Sequence, residues 1–87
     1  MLRNKIYLVL LLFSILPLNA MANNVNQLFD AANKSYESGD YKSAFVWYDS
    51  IEKIGYQSPE LFLNKGNAAY KLDNLPEAIY CFEKALK

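Results

Sequence analysis

Few side chains in this sequence could carry out chemistry at neutral pH. The chain contains no histidine and a single cysteine, Cys81, so the usual zinc ligand sets cannot be assembled within one chain. Asp49 and Glu52 stand one helical turn apart, next to Lys53. Because no histidine or serine arrangement accompanies them, we interpret these carboxylates as a solvated helix face. The sequence therefore predicts no enzyme, no cofactor and no metal site.

Cys81 is the only thiol of the chain, so an intrachain disulfide cannot form. It lies in a stretch with helical spacing of apolar residues, and we interpret it as a small, partly buried residue of that helix. In an oxidising compartment a lone cysteine can also pair with a second chain. The sequence leaves this alternative open.

The helices that must position these residues are predicted by a residue pattern that recurs every 34 residues. Six positions in the second half of the chain have counterparts of related size or polarity in the first half. The pairs are Ala32 and Gly66, Asn33 and Asn67, Tyr36 and Tyr70, Ala44 and Ala78, Tyr48 and Phe82, and Ile51 and Ala85. This periodicity is typical of helix-turn-helix repeats. It predicts an all-α fold of two antiparallel helix pairs, the start of a right-handed solenoid, in repeats 25–58 and 59–87, the second incomplete.

Glycines and capping residues mark the predicted helix ends. Gly39 and Gly55 are each placed to end a helix, the first of them in the left-handed conformation. Asp40, Ser58 and Asn74 each precede a helical stretch and can accept hydrogen bonds from its exposed amides. The sequence therefore predicts helix ends near Gly39, Ile54 and Leu72.

The N-terminal residues have the pattern of an export signal. Arg3 and Lys5 precede an uncharged apolar stretch over residues 6–18, and Ala20 and Ala22 are the small residues that signal peptidase reads. The apolar stretch is shorter than the roughly 20 residues that comfortably span a bilayer. We therefore predict a cleavable signal and export to the periplasm.

Cleavage after Ala22 would remove a signal peptide over residues 1–22 and leave a domain over residues 23–87. The alternative is an uncleaved signal. In that case residues 6–18 would associate with the inner membrane, and the domain would face the periplasm. N-terminal sequencing of the exported protein distinguishes these two forms, because only the cleaved form begins at Asn23.

The charge of the predicted mature domain excludes one class of partner. Without Arg3 and Lys5, residues 23–87 hold seven lysines and nine carboxylates, a net charge of −2, and no arginine. Proteins that bind nucleic acids usually present a clustered positive face. We therefore predict no nucleic-acid partner.

The repeated residues resemble the tetratricopeptide repeat, in which small and aromatic residues occupy fixed positions of each helix pair. The first copy supplies Leu28, Ala32, Tyr36, Gly39, Asp40, Tyr41, Ala44, Tyr48 and Ile51, and the second supplies Phe62, Gly66, Asn67, Ala68, Tyr70, Leu75, Ala78, Phe82 and Ala85. Lys65 departs from the family pattern, because a leucine usually faces the partner helix there. We expect a looser second pair or a lysine that extends its ammonium group to solvent.

A narrower resemblance rests on the export signal together with residues 39–41 and 58–61. This combination is similar to the repeat proteins of bacterial aerotolerance (Bat) operons. That resemblance implies an interaction module at the cell envelope. It covers the signal and both repeats.

The resemblance to the tetratricopeptide repeat implies that a partner peptide binds in a groove lined by the first helix of each pair. By position, the candidate residues are Phe29, Asn33, Tyr36, Leu63, Asn64, Asn67, Tyr70 and Lys71. The asparagine amides can bond to an extended peptide or, equally, between helices. Some members capture a C-terminal carboxylate. Phe29 occupies the position of the first lysine in that arrangement, which argues against it here.

We therefore expect an exported protein that binds a protein or peptide partner as a periplasmic or envelope scaffold. The alternative is the N-terminal regulatory or anchoring part of a longer, membrane-associated protein with several domains. Stacked repeats bury their faces on their neighbours, so an uncovered face also suggests self-association. Trp47 and Tyr56 are expected to pack against a neighbouring repeat, and exposure to a partner is the alternative.

Overall fold

The computed structural model describes residues 24–87, and this part of the chain consists of four helices and their short turns, without a strand. Residues 24–37 are helical and are called α1. The other helices are α2 (Tyr41–Lys53), α3 (Pro59–Lys71) and α4 (Leu75–Ala85). The prediction of an all-α fold is confirmed, and the four helices are compatible with two helix pairs. The predicted signal peptide lies outside the described residues.

The turns reverse the chain through residues with positive φ. Gly39 has φ +85° and Gly55 has φ +97°, in the left-handed region that a glycine adopts without steric cost. The third turn uses Asp73 at φ +59°, and aspartate is one of the few other residues that tolerate this region. The predicted role of Gly39 is therefore confirmed, and Gly55 ends α2 in the same way.

Side-chain oxygens cap the start of α2, α3 and α4. Asp40 accepts a hydrogen bond from the backbone amide of Ser43 at 3.1 Å, and Ser58 Oγ accepts one from Leu61 at 3.0 Å. Asn74 Oδ1 receives the amide of Glu77 at 3.5 Å, which is the long end of the range. Each bond satisfies an amide that has no partner within its helix. All three predicted caps are confirmed.

The core lies where α1, α2 and α3 meet. Small residues on α1 and α2 let the helices approach, and larger side chains fill the remaining space. The fully or nearly fully buried members are Ala32, Ala44, Tyr48, Ile51, Leu61 and Ala68. The small-and-large alternation of the repeat is therefore a packing pattern.

Gly66 marks the closest approach between α3 and α4. A Cβ atom at this position would lie 2.7 Å from Cε1 of Phe82 and 3.1 Å from Cβ of Cys81. Both distances are shorter than an ordinary van der Waals contact. The missing side chain of Gly66 therefore allows the second helix pair to form.

The outer face of α4 is apolar and exposed. Leu75, Ile79 and Leu86 recur at helical spacing on this face, and more than half of each is accessible to solvent in the structure of residues 24–87. A membrane-crossing helix, which must be long and apolar, does not occur within the same residues.

Candidate functional site

A groove of about 840 Å³ opens between α1 and the turn that joins α2 to α3. We call it the α1 groove. Its α1 wall consists of residues spaced by three or four positions, which places them on one helix face. The lining residues are Val25, Asn26, Phe29, Asp30 and Asn33 from α1, Ile54, Gly55 and Tyr56 from the turn, and Glu60 from α3.

Two aromatic residues, Phe29 and Tyr56, line the α1 groove. Phe29 makes edge-to-face contacts with Tyr48 and Tyr56, with ring centroids 6.3 Å and 5.8 Å apart. Tyr48 is buried and donates its hydroxyl hydrogen to Asn33 Oδ1. Burial raises the pKa of Tyr48, so the phenol keeps this proton at neutral pH. Phe29 and Asn33 of the lining are therefore fixed by packing against Tyr48 and by a hydrogen bond between α1 and α2.

The rim of the α1 groove carries negative charge. Asp30 and Glu60 are both exposed, and they are the charged members of the lining. The salt bridges found among residues 24–87 use Asp49, Glu52 and Glu77. The two rim carboxylates are therefore free of an ion-pair partner in the part of the chain that the structure describes.

The residues that the sequence predicts for partner binding lie in three different places in the structure. Phe29 and Asn33 line the α1 groove. Tyr36 and Lys71 meet at the other end of α1, where both contact the ring of Tyr41, at 5.2 Å from the Tyr36 ring and 5.7 Å from Lys71 Nζ. The remaining candidates lie along α3 and are partly or largely exposed. They are Leu63, Asn64, Asn67 and Tyr70. Binding at any of them remains a prediction.

Sequence reasoning missed part of the groove. Ile54 and Glu60 were not nominated, although both line it. Tyr56 makes its aromatic contact with Phe29 of its own repeat, and 42% of the residue stays exposed, so its role as a partner contact stays a prediction. A glycine between two large apolar residues, Ile54 and Tyr56, was the available signal, since it presents both side chains at a tight turn.

A second polar site is internal and joins three helices. The ammonium nitrogen of Lys65 on α3 lies 2.9 Å from Asp49 Oδ1, 2.9 Å from Glu52 Oε2 and 3.3 Å from Glu77 Oε1. The Lys65 side chain is only 3% exposed, and its nitrogen also lies 5.2 Å from the ring centroid of Phe45. We call this arrangement the Lys65 cluster. It connects α2 to α3 and α4.

The Lys65 cluster corrects two expectations from the sequence. Lys65 does not extend to solvent, because its side chain is only 3% exposed and three carboxylates compensate its charge inside the structure. Asp49 and Glu52 are not simply a solvated face, because both are partly buried and bind Lys65. Only Lys53, 76% exposed and 3.0 Å from Asp49, behaves as a surface ion pair.

Opposing effects set the protonation of the Lys65 cluster. Burial alone would lower the pKa of Lys65, but hydrogen bonds to Glu52 and Asp49 outweigh it and raise the pKa well above its ordinary value. Burial likewise pushes the pKa of Asp49 upward, and the hydrogen bonds from Lys65 and Lys53 outweigh it and lower the pKa. Both groups are therefore charged at neutral pH.

These shifts predict how stability depends on pH. Because the pKa of Asp49 is lower in the folded state, its contribution is present above about pH 4 and disappears as the pH falls further. Lys65 has a raised pKa, so its contribution is complete below about pH 10 and disappears above that value. We expect urea titrations to give a nearly constant free energy of unfolding from about pH 5 to pH 9, with losses on both sides. A maximum at pH 3 would contradict this profile.

Cys81 lies against the Lys65 cluster. It is fully buried, and its sulfur lies 3.7 Å from Glu77 Oε1. Burial, with a smaller contribution from Glu77, raises the pKa of the Cys81 thiol to about 11. The predicted burial of this residue is confirmed, and the environment is that of an unreactive structural thiol.

We predict that Cys81 reacts with iodoacetamide only when the chain unfolds. At pH 8 the raised pKa cuts the thiolate fraction by roughly 100-fold, and burial blocks access to the remainder. The labelling rate, followed by mass spectrometry, should rise by more than about 100-fold when urea unfolds the protein. The single cysteine makes the assignment unambiguous. A rate in native buffer equal to that in urea would contradict the structure around the thiol.

Comparison with known proteins gives one match. The tetratricopeptide repeat family model matches residues 59–87, the segment that holds α3 and α4. No curated protein and no solved structure matches the chain. The matched segment contains Gly66 and the small and aromatic positions that repeat with the 34-residue period. The match and the helical architecture together support a tetratricopeptide repeat protein.

Proposed function

We propose that this protein is an exported interaction module that acts as a scaffold in the periplasm or at the envelope. We propose further that a partner peptide binds along the first helix of each helix pair. The observation that carries the proposal is the tetratricopeptide repeat over residues 59–87, because this repeat is a non-catalytic fold for protein–protein interaction. The α1 groove supplies a concave surface with aromatic walls, the kind of surface that binds peptide side chains.

The envelope location rests on the sequence. Residues 1–22 have the charge and hydropathy pattern of an export signal, and the signal with both repeats resembles the repeat proteins of aerotolerance operons. Edman sequencing of protein recovered from the periplasmic fraction tests export and cleavage together. A start at Asn23 supports the cleaved form, and retention of Met1 at the membrane supports the anchored form. Recovery of the chain from the cytoplasm alone would overturn the envelope role.

Site-specific photocrosslinking tests the binding surface in cells. A photoreactive phenylalanine at Tyr56 or Leu63 should form a discrete crosslink to another protein. The matched control is Val46, which is 55% exposed on the outer side of α2, away from the α1 groove. Crosslinks at Val46 that equal those at the two test positions would overturn the proposed surface.

One observation favours a second function. The exposed apolar residues Leu75, Ile79 and Leu86 have the helical spacing that another helix would cover. This favours the N-terminal regulatory or anchoring part of a longer membrane-associated protein, or self-association through the same face. Sequencing the transcript beyond the Lys87 codon tests the first, and sedimentation equilibrium at several concentrations tests the second.

A further inference from the structure

The chemistry of the α1 groove is specific enough to indicate the type of peptide that fits it. Two exposed carboxylates, Asp30 and Glu60, stand on its rim, and the aromatic pair Phe29 and Tyr56 lines the same groove. Its lining contains no lysine, although seven lysines occur within residues 24–87. An apolar surface edged by negative charge is complementary to a cationic side chain with a long aliphatic stem.

We propose that the α1 groove binds a basic peptide segment, in which an arginine or lysine is flanked by an apolar residue. The aliphatic stem would pack on Phe29 and Tyr56, and the cationic head would lie between Asp30 and Glu60. This inference rests on the proposed function as an interaction module and names the chemistry of its partner. The ligand proposed here is cationic, whereas the family members that capture a C-terminal carboxylate bind an anion.

Three physical effects favour this occupant. Arginine stacks on aromatic faces, where the negative ring face attracts the cation. The two rim carboxylates attract it further, with a strength that decreases as salt is added. Exposed apolar surface on Ile54 and Tyr56, each about 40% accessible, would be covered by the flanking apolar residue.

The dimensions of the α1 groove limit the segment to a few residues. Pockets of about 300–1,000 Å³ enclose ligands of drug-like size, which corresponds to a short stretch of peptide. The Asn33 amide, held by Tyr48, keeps its two N–H groups for a peptide carbonyl, because only its oxygen is used in that bond. The binding mode is therefore a short extended segment with one central cation.

Nuclear magnetic resonance of the uniformly ¹⁵N-labelled chain provides a direct test. The probe is a short peptide with one central arginine flanked by leucines, and its counterpart has a glutamate in place of the arginine. Two glycines serve as internal reporters. Gly55 lines the α1 groove, whereas Gly39 is in the turn between α1 and α2, outside the groove lining. We expect the basic peptide to shift the Gly55 signal and leave Gly39 unchanged, and the acidic peptide to shift neither.

Variants of the rim carboxylates test the charge argument. Asp30→Asn with Glu60→Gln should weaken binding of the basic peptide by at least about 10-fold, and raising NaCl from 50 to 500 mM should weaken binding to the unchanged chain similarly. Asp73→Asn is the matched control, because it removes a carboxylate from an exposed turn outside the groove lining and asparagine also tolerates positive φ. It should alter affinity less than twofold.

Several outcomes would overturn the proposal. Equal binding of the two peptides, or full binding to the double variant, removes the basis for a basic occupant. A Gly55 signal that moves when Arg3 and Lys5 are replaced by alanine, without added peptide, identifies the chain's own N-terminal segment as the occupant. If the variant with both Asp30→Asn and Glu60→Gln still crosslinks to its partner at Tyr56, the role as an interaction module stands. Only the proposed preference for a basic peptide is then rejected.

Discussion

Replacing Lys65 by methionine is expected to lower the free energy of unfolding by about 2–4 kcal/mol. The substitution leaves Asp49, Glu52 and Glu77 close together without their shared cation. Removing one partner of a buried ion pair costs roughly 3–5 kcal/mol, and we expect a smaller loss because these carboxylates are 21–31% exposed and can regain water. Urea unfolding followed by circular dichroism measures the loss.

Lys53→Met is the matched control for this experiment. The Lys53→Met substitution removes the same positive charge, but from a surface ion pair with Asp49. Exposed helix pairs at this spacing contribute only about 0.3–0.5 kcal/mol to stability. The pH dependence provides a second check. As the pH falls below about 4, the contribution of Asp49 is progressively lost because its pKa is lowered in the folded state, so the difference between the Lys65→Met variant and the parent should shrink toward pH 3. Equal losses for Lys53→Met and Lys65→Met would refute the Lys65 cluster as a determinant of stability.

The second large effect is expected at Gly66. Even the first side-chain carbon would lie 2.7 Å from Phe82 and 3.1 Å from Cys81, so Gly66→Val must separate α3 from α4 or displace the ring. Overpacking of this kind costs about 1–3 kcal/mol, and we expect the upper end because Phe82 and Cys81 both belong to α4. Thermal unfolding followed by circular dichroism should show a midpoint lowered by about 10 °C or more.

Two comparisons separate the steric effect from helix propensity. Leu63→Val places the same β-branched residue in α3 at a position that is 49% exposed, and it should cost less than about 1 kcal/mol. Gly66→Ala gains about 1 kcal/mol of helix propensity against a smaller clash, so it should lie between the parent and Gly66→Val. A Gly66→Val variant as stable as Leu63→Val would show that α3 and α4 do not approach as closely as the structure indicates.

Helix limits were predictable because they depend on local chemistry. Gly39 ends its helix through its own backbone conformation, and Ser58 and Asn74 cap theirs through amides three residues away. Such information lies within four or five residues of sequence. The 34-residue period then gave the fold class, because each copy marks the same packing face of a helix pair.

Long-range polar contacts could not be predicted in the same way. Helical periodicity places Lys65 on an inward face, but its partners Asp49 and Glu52 are 16 and 13 residues earlier in the chain. Their convergence depends on how α2 crosses α3. The α1 groove has the same origin, since Ile54 and Glu60 line it together with Phe29 only where the turn packs near α1. Sequence patterns assign a face to each side chain, and tertiary packing decides which faces meet.

The Lys65 cluster makes the order of the two repeats matter. One period earlier the position of Lys65 is held by Ala31, and one period later the position of Glu52 is held by Leu86. The matching charges therefore occur only where the second helix of the first repeat meets the first helix of the second. Exchanging or duplicating the repeats would create a junction that lacks some of the charged residues of the Lys65 cluster. This pair behaves as an ordered unit, not as two interchangeable modules, because duplicating the second repeat alone would set a buried lysine against Leu86 in place of Glu52.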